Sequence, residues 1–272
     1  MNKKLRFPLC LALLLGLIPS SVTAGVSVIG STVLEKTMST GTKADGQIAV
    51  HNSDSVARDV RIFATDYSFT ADGQTTFASP AGQAPRSNAS WITFTPHQLT
   101  LPPGETMNVD INIQAPSGSP LSGTYWSVLM VEPVAPDSLE PSKAGPGQVA
   151  VGLRSVVRYA VQVVTHIADT GRRTLRFTNR QLVASGDQRF LQMDVENTGE
   201  RGLRPTFWAQ LFDAKGVSLG KFDGGQWRIY PGCSTRVRMD LSKVPHGLLT
   251  ALIVADNGDS SVFGSQCKLN LQ

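Results

Sequence analysis

Residues 148–167, QVAVGLRSVVRYAVQVVTHI, decide how this chain is read. Val149, Val151, Leu153, Val157, Tyr159, Val161, Val163 and Ile167 recur at every second position, while Gln148, Arg154, Arg158, Gln162 and His166 fall between them. Alternation of period two sends one set of side chains to each face of an extended strand. The run is far longer than the usual strand of about five or six residues. It follows directly on the Pro- and Gly-rich segment Pro133 to Gly147, PVAPDSLEPSKAGPG. Two readings stand: a long strand buried in its own domain, or an edge strand open to a partner.

The Pro-rich segment cannot build a core and is expected to form a connection. It is either a linker between domains or a long hairpin loop within the first. The loop reading is favoured because the strand after it has the apolar face needed to pair with Tyr125 to Val131. The domain boundary then falls near Asp169 to Arg172, giving domains at 25–168 and 169–272.

Outward from this stretch, short alternating runs are separated by Asp72-Gly73, Pro103-Gly104, Asn197-Thr198-Gly199, Pro231-Gly232 and Asn257-Gly258. Such punctuation, with no convincing long helix, predicts an all-β fold of two immunoglobulin-like β-sandwich domains in tandem. An internal repeat supports the tandem. Ile48-Ala49-Val50-His51-Asn52, then Pro103-Gly104, then Gly123 ahead of Tyr125 to Val131, is echoed by Met193-Asp194-Val195-Glu196-Asn197, Pro231-Gly232 and Gly247 ahead of Leu248 to Val254.

At the start of the chain, Lys3, Lys4 and Arg6 precede a short apolar run, Leu9 to Ile18, and Val22-Thr23-Ala24 offers a small-residue cleavage site. This predicts a signal peptide at 1–24, export, and a mature start at Gly25. Without those 24 residues the formal charge falls from +4 to +1, which gives no global argument for nucleic acid or an anionic membrane. No later apolar run is long enough to span a bilayer. Arg172, Arg173, Arg176 and Arg180 form a local basic cluster, read as a solvated strand face ahead of an anion site. Cys233 and Cys267 remain after processing, and in an oxidising compartment they are expected to form a disulfide.

Enzyme signatures are missing: there is no Gly-x-Ser-x-Gly elbow, phosphate-cradling glycine loop or His-Glu-x-x-His pair. His51, His97, His166 and His246 have no zinc-ligand spacing. No catalytic residue, metal or cofactor is expected. Trp91, Trp126, Trp208 and Trp227 are read first as packing residues and second as sugar-stacking platforms. Asn88-Ala89-Ser90 is formally a glycosylation acceptor.

The order of these features resembles the PapD-like periplasmic chaperones of the chaperone-usher pilus pathway. The resemblance is carried by Gly25-Val26-Ser27-Val28, Val50-His51-Asn52, Leu101-Pro102-Pro103-Gly104-Glu105 and Ser122-Gly123-Thr124-Tyr125-Trp126-Ser127-Val128, followed by the Pro-rich loop. It covers most of Gly25 to Ile167 and, more loosely, the second domain. It implies a periplasmic chaperone that binds pilin-like or other secreted subunits by donor-strand complementation, with an outer-membrane usher as a further partner. Val149, Val151 and Leu153 would be the alternating residues inserted into a subunit's groove. Arg158 would be the basic residue that meets the subunit's C-terminal carboxylate. The family's second base, on the first strand, has no counterpart in Val28 to Val33; Arg154 or another basic group would take its place. The alternative, from a different class, is an exported structural or adhesive immunoglobulin-like protein binding glycan or cell wall through loops and Trp91 or Trp126.

Overall fold

A computed structural model describes residues 25–118, 120–134 and 156–271. The proposed signal segment lies outside the described residues, as do Val149, Val151, Leu153 and Arg154. The first ten strands are β1 (Val26–Ile29), β2 (Val33–Met38), β3 (Lys43–Asn52), β4 (Arg58–Phe69), β5 (Thr75–Ala78), β6 (Ile92–Thr95), β7 (Gln98–Leu101), β8 (Thr106–Gln114), β9 (Gly123–Pro133) and β10 (Tyr159–Ile167). They form one sheet in the order β1-β3-β8-β6 and a second in the order β2-β10-β9-β4-β5, with β7 also on β4. Seven more strands follow: β11 (Leu175–Ser185), β12 (Gln188–Asn197), β13 (Thr206–Phe212), β14 (Ser218–Gln226), β15 (Ser234–Asp240), β16 (Gly247–Asp256) and β17 (Val262–Leu271). Their sheets run β11-β12-β15 and β14-β13-β16-β17. No described strand pairing joins β1–β10 to β11–β17, so the fold is two β-sandwiches in tandem.

The first sandwich is closed by a strand that changes sheets. β1 pairs antiparallel with β3, Gly30 turns the chain at a positive φ of 90°, and β2 pairs parallel with β10. Each sheet gives one apolar face to the core, where Val50, Leu101, Val109, Ile113, Leu129, Val131, Val161 and Val163 are buried. Full burial of each such side chain contributes about 1.5–3 kcal/mol. Truncating Leu129 to Ala would cost about 2–5 kcal/mol, because a central position cannot collapse onto the gap.

The internal repeat is visible at the level of single hydrogen bonds. Asn52, ending β3, donates from Nδ2 to the carbonyls of Val56 and Leu101 at 2.8 and 2.9 Å, and its Oδ1 accepts from Asp54 N–H at 3.0 Å. Asn197, ending β12, donates to the carbonyls of Arg201 and Ile229 at 2.7 and 2.9 Å and accepts from Gly199 N–H at 2.9 Å. Both side chains are fully buried. Each ties the end of a strand to the segment before a Pro-Gly turn, adding a buried donor to the carbonyls there.

Two expectations need correction. Within the described part of the expected strand 148–167, β10 spans only Tyr159–Ile167, and Val156 to Arg158 precede it in irregular backbone. The expected Cys233–Cys267 disulfide is absent; both cysteines are free. Cys233 sits in the turn before β15, at the end facing the first domain, where Asn197 N–H donates to its carbonyl at 3.0 Å. Cys267 lies on the opposite sheet, five residues beyond Val262, which pairs with Asp256 at that same end. Five strand residues span roughly 17 Å, and packed sheets are about 10 Å apart. A disulfide needs Cα atoms within about 7 Å.

Candidate functional site

The strand that ends the first domain has an incomplete edge. β9 pairs with β10 along its whole length, from Tyr159 opposite Val131 to Ile167 opposite Gly123. On the other side β2 joins only at Gln162, opposite Val33. Tyr159, Ala160 and Val161 therefore have no ladder partner on that side among the described residues. Val156 and Val157, just before them, are 42% and 45% exposed. An open backbone edge flanked by exposed valines is a template for another strand, and proteins ordinarily cover or charge such edges. The segment feeding this edge is 148–155, which carries Val149, Val151, Leu153 and Arg154.

Odd-numbered residues of β10 enter the core of the first domain, through Val161, Val163 and Ile167. The even-numbered face is also covered, because it meets the second domain: Val164 of β10 and Trp126 of β9 belong to the core of β11–β17. The Trp126 and Tyr230 rings stack at 4.7 Å with 9° between planes, and Trp126 Nε1–H donates to Tyr67 O at 2.6 Å. Tyr230 OH donates to Gln162 Oε1. The β4–β5 hairpin, around Asp72-Gly73, braces the same junction, with Ala71 N–H donating to Ser234 Oγ at 2.9 Å.

Glycines set the closeness of the junction. At Gly123, φ is 76° and a Cβ would lie 2.1 Å from Glu200 O. At Gly171, φ is 89° and a Cβ would lie 2.4 Å from Gly123 Cα. Only glycine allows both that backbone conformation and that approach.

Arg158 stands at the start of this even-numbered face, 59% exposed, with Nη2 2.8 Å from Glu132 Oε1. Glu132 Oε2 takes Nη2 of Arg61 at the same distance. One carboxylate thus holds two guanidiniums, leaving a net positive charge beside the open edge. Arg61 was not singled out in the sequence. Its signal is the register, since Arg61 of β4 lies opposite Glu132 of β9.

At the far end of the same face, Thr124 Oγ1 lies 2.7 Å from His166 Nδ1, and His166 Nε2 lies 2.5 Å from Glu35 Oε1. Arg228 of the second domain grips Glu35 with two donors, at 3.0 and 2.8 Å. The His166 hydrogen bond first, then Arg228 against the opposing effect of burial, brings the Glu35 carboxyl down to about 2. Hydroxyl, imidazole and carboxylate in a row suggest nucleophilic chemistry, but Thr124 is fully buried and its Oγ1 already accepts Gly202 N–H at 2.7 Å. The row is a tie between domains.

The other sequence candidates resolve as follows. Trp91 packs on Tyr125 with ring centres 4.6 Å apart, and Trp126 is buried, so Trp126 is no platform for sugar. Asn88 is fully buried, donating to Val163 O and Thr165 Oγ1 at 3.1 and 3.0 Å, which bars it from glycosylation. The basic cluster divides: Arg176 pairs with Glu196, Arg180 donates to Ser265 Oγ at 2.7 Å, and Arg173 turns to Asp169 and Asp259. Among the described residues no group of His, Cys, Asp or Glu is arranged to hold a metal, and no helix is long and apolar enough to cross a membrane.

Neither a protein-family model nor a curated protein sequence matches the chain. Solved structures do share its architecture. One, from a chaperone–tip adhesin complex of CFA/I fimbriae biogenesis, superposes with a TM-score of 0.50 at 12% identity, covering 92% of this chain and 100% of that one. The class 5 fimbriae chaperone CfaA gives 0.46 at 12% identity, covering 89% and 98%. The Salmonella enterica SafB chaperone with SafA pilin gives 0.44 at 16% identity, covering 90% and 97%. At such identities the first of these establishes a common fold: two immunoglobulin-like domains over nearly the full length of both chains.

Proposed function

We propose that this protein is an exported, non-catalytic periplasmic chaperone of the PapD-like kind that binds a pilin-like or other secreted subunit by donor-strand complementation. The observation that carries this reading is the open edge of β10 at Tyr159 to Val161, reached from exposed Val156 and Val157. On binding, the segment ahead of that edge would extend as a strand with Val149, Val151 and Leu153 on one face. Backbone hydrogen bonds to a subunit lacking a strand would hold it, and the alternating side chains would fill pockets that otherwise aggregate. In this reading Arg158 receives the subunit's carboxylate, and the second base comes from Arg61 of β4 through shared Glu132, in place of a base on the first strand. The domain division lies between Ala168 and Asp169. The fold shared with a chaperone solved in a tip-adhesin complex supports the assignment.

The test is co-expression with a pilin-like subunit that lacks its last strand. Replacing Val151 and Leu153 with Asp should abolish recovery of the subunit on the tagged chain while the melting curve of the chain stays unchanged. Equal recovery by the double variant would overturn the reading.

A further inference from the structure

On the hinge side of the junction, away from the open edge of β10, lies a polar cavity of about 280 Å³. Its walls come from both domains: Glu35 and His166 from the first, the β12–β13 loop residues Arg201 and Arg204, Arg228 before β15, and Asp259 from the β16–β17 turn, with Asp169 and Arg173 between the domains. Four guanidiniums face three carboxylates there.

The carboxylates are already taken. Arg173 pairs with Asp169 and reaches Asp259 at 3.6 Å, and Arg228 holds Glu35 with two donors. Arg201 is left with one acceptor, Ala168 O at 2.6 Å, and has no carboxylate partner among the described residues. The Arg204 side chain has no hydrogen-bond or ion-pair partner among them; only its backbone N–H is engaged, by Asn257 Oδ1 at 2.8 Å. Burial first, then the neighbouring Arg173 guanidinium, lowers the Arg201 pKa, against the opposing pull of Asp169, Glu35 and Asp259.

We propose that this junction cavity binds a small oxyanion, a carboxylate or an inorganic phosphate, through Arg201 and Arg204. A planar guanidinium offers parallel N–H donors that match two oxygens of such a group, and charge-assisted bonds of this kind are the strong ones. Asp169, Asp259 and Glu35 on the walls repel extended polyanions and limit the ligand to a compact one. The volume agrees: a water's share of liquid is about 30 Å³, so the cavity holds an anion of several heavy atoms with its hydration. This site is separate from the proposed strand-lending edge, and neither inference depends on the other.

The probes are inorganic phosphate and succinate, each titrated into the full processed chain with sodium chloride held to the same ionic strength. Thermal unfolding and calorimetry are the readouts. The expected result is a saturable rise in melting temperature with phosphate, succinate or both, which chloride does not reproduce; which probe saturates tells phosphate from carboxylate recognition. Arg204→Gln, which breaks no contact in the fold, should raise the half-saturating concentration about tenfold, the factor for one charge-assisted hydrogen bond. Arg201→Gln should do the same or more. Saturation by neither probe, an equal effect of chloride, or wild-type saturation in both variants would overturn the proposal.

Discussion

Replacing Glu35 with Gln keeps the shape of the side chain and removes the charge that Arg228 and His166 share across the junction. The interval from the ordinary value of 4.5 to about 2 sets the scale of that charge's contribution to folding. At face value it corresponds to about 3 kcal/mol. The Glu35 side chain is 39% exposed, so solvent screening reduces it to about 1 kcal/mol. The sign follows from the lowered pKa. The contribution is complete above pH 4.5 and is lost as pH falls through about 2. Urea unfolding of the wild type and of Glu35→Gln at a series of pH values isolates it, since every other ionisable group is common to both proteins. The two curves should differ by about 1 kcal/mol at pH 6 and converge between pH 4.5 and 2. A difference that persists unchanged to the acid end, or that is absent at pH 6, would refute the argument that this carboxylate binds the domains as an ion.

Other substitutions probe the scaffold. Gly123→Ala should lower stability by about 2 kcal/mol or more in thermal melts, because it combines a positive φ with a collision against Glu200 O, whereas Gly73→Ala, with open space around it, should lose only about 1 kcal/mol. Asn52→Ala and Asn197→Ala each remove a matching set of buried side-chain hydrogen bonds, so each should cost about 2–3 kcal/mol; similar losses are expected because the bond sets match, and sharply unequal ones would count against the equivalence. Thiol titration of unreduced, denatured protein spanning residues 25–272 should find both Cys233 and Cys267 free, and the absence of reactive thiol would show that they had paired after all. Removing the Arg61 guanidinium by Arg61→Ala should weaken subunit recovery as much as Arg158→Ala; a silent Arg61→Ala would limit the anchor to one arginine.

What the sequence disclosed and what it hid divide along a physical line. Local signals were legible. Period-two alternation marked β9 and β10, turn pairs marked the gaps, and the repeated Asn ahead of a Pro-Gly turn marked equivalent strand ends. Contacts that depend on non-local register were not. Glu35 and His166 are 131 positions apart and meet only because β2 runs parallel to β10. Arg61 of β4 and Arg158, just before β10, share Glu132 only because β9 lies between β4 and β10. The cysteine expectation failed for the same reason: compartment chemistry favoured a pair, but strand placement set the thiols on opposite sheets at different heights. The even face of β10 depends on the second domain as well. Its Gln162 and His166 are polar, yet the face is covered at the domain junction, where Tyr230 of the second domain bonds Gln162 and Thr124 of β9 bonds His166.

The pairing of β10 has a mechanical meaning. Its carboxyl-terminal half is clamped between an antiparallel neighbour and a parallel one, while its side chains are shared between the cores of both domains. A pull on the chain ahead of Tyr159 along the strand axis would load those hydrogen bonds in shear, all at once. A pull across the sheet would peel them one by one, beginning where β2 is missing. Such an anchorage yields at low force in one direction and resists in the other, so a cargo held by the segment before it would be released most easily by an agent that approaches from the side.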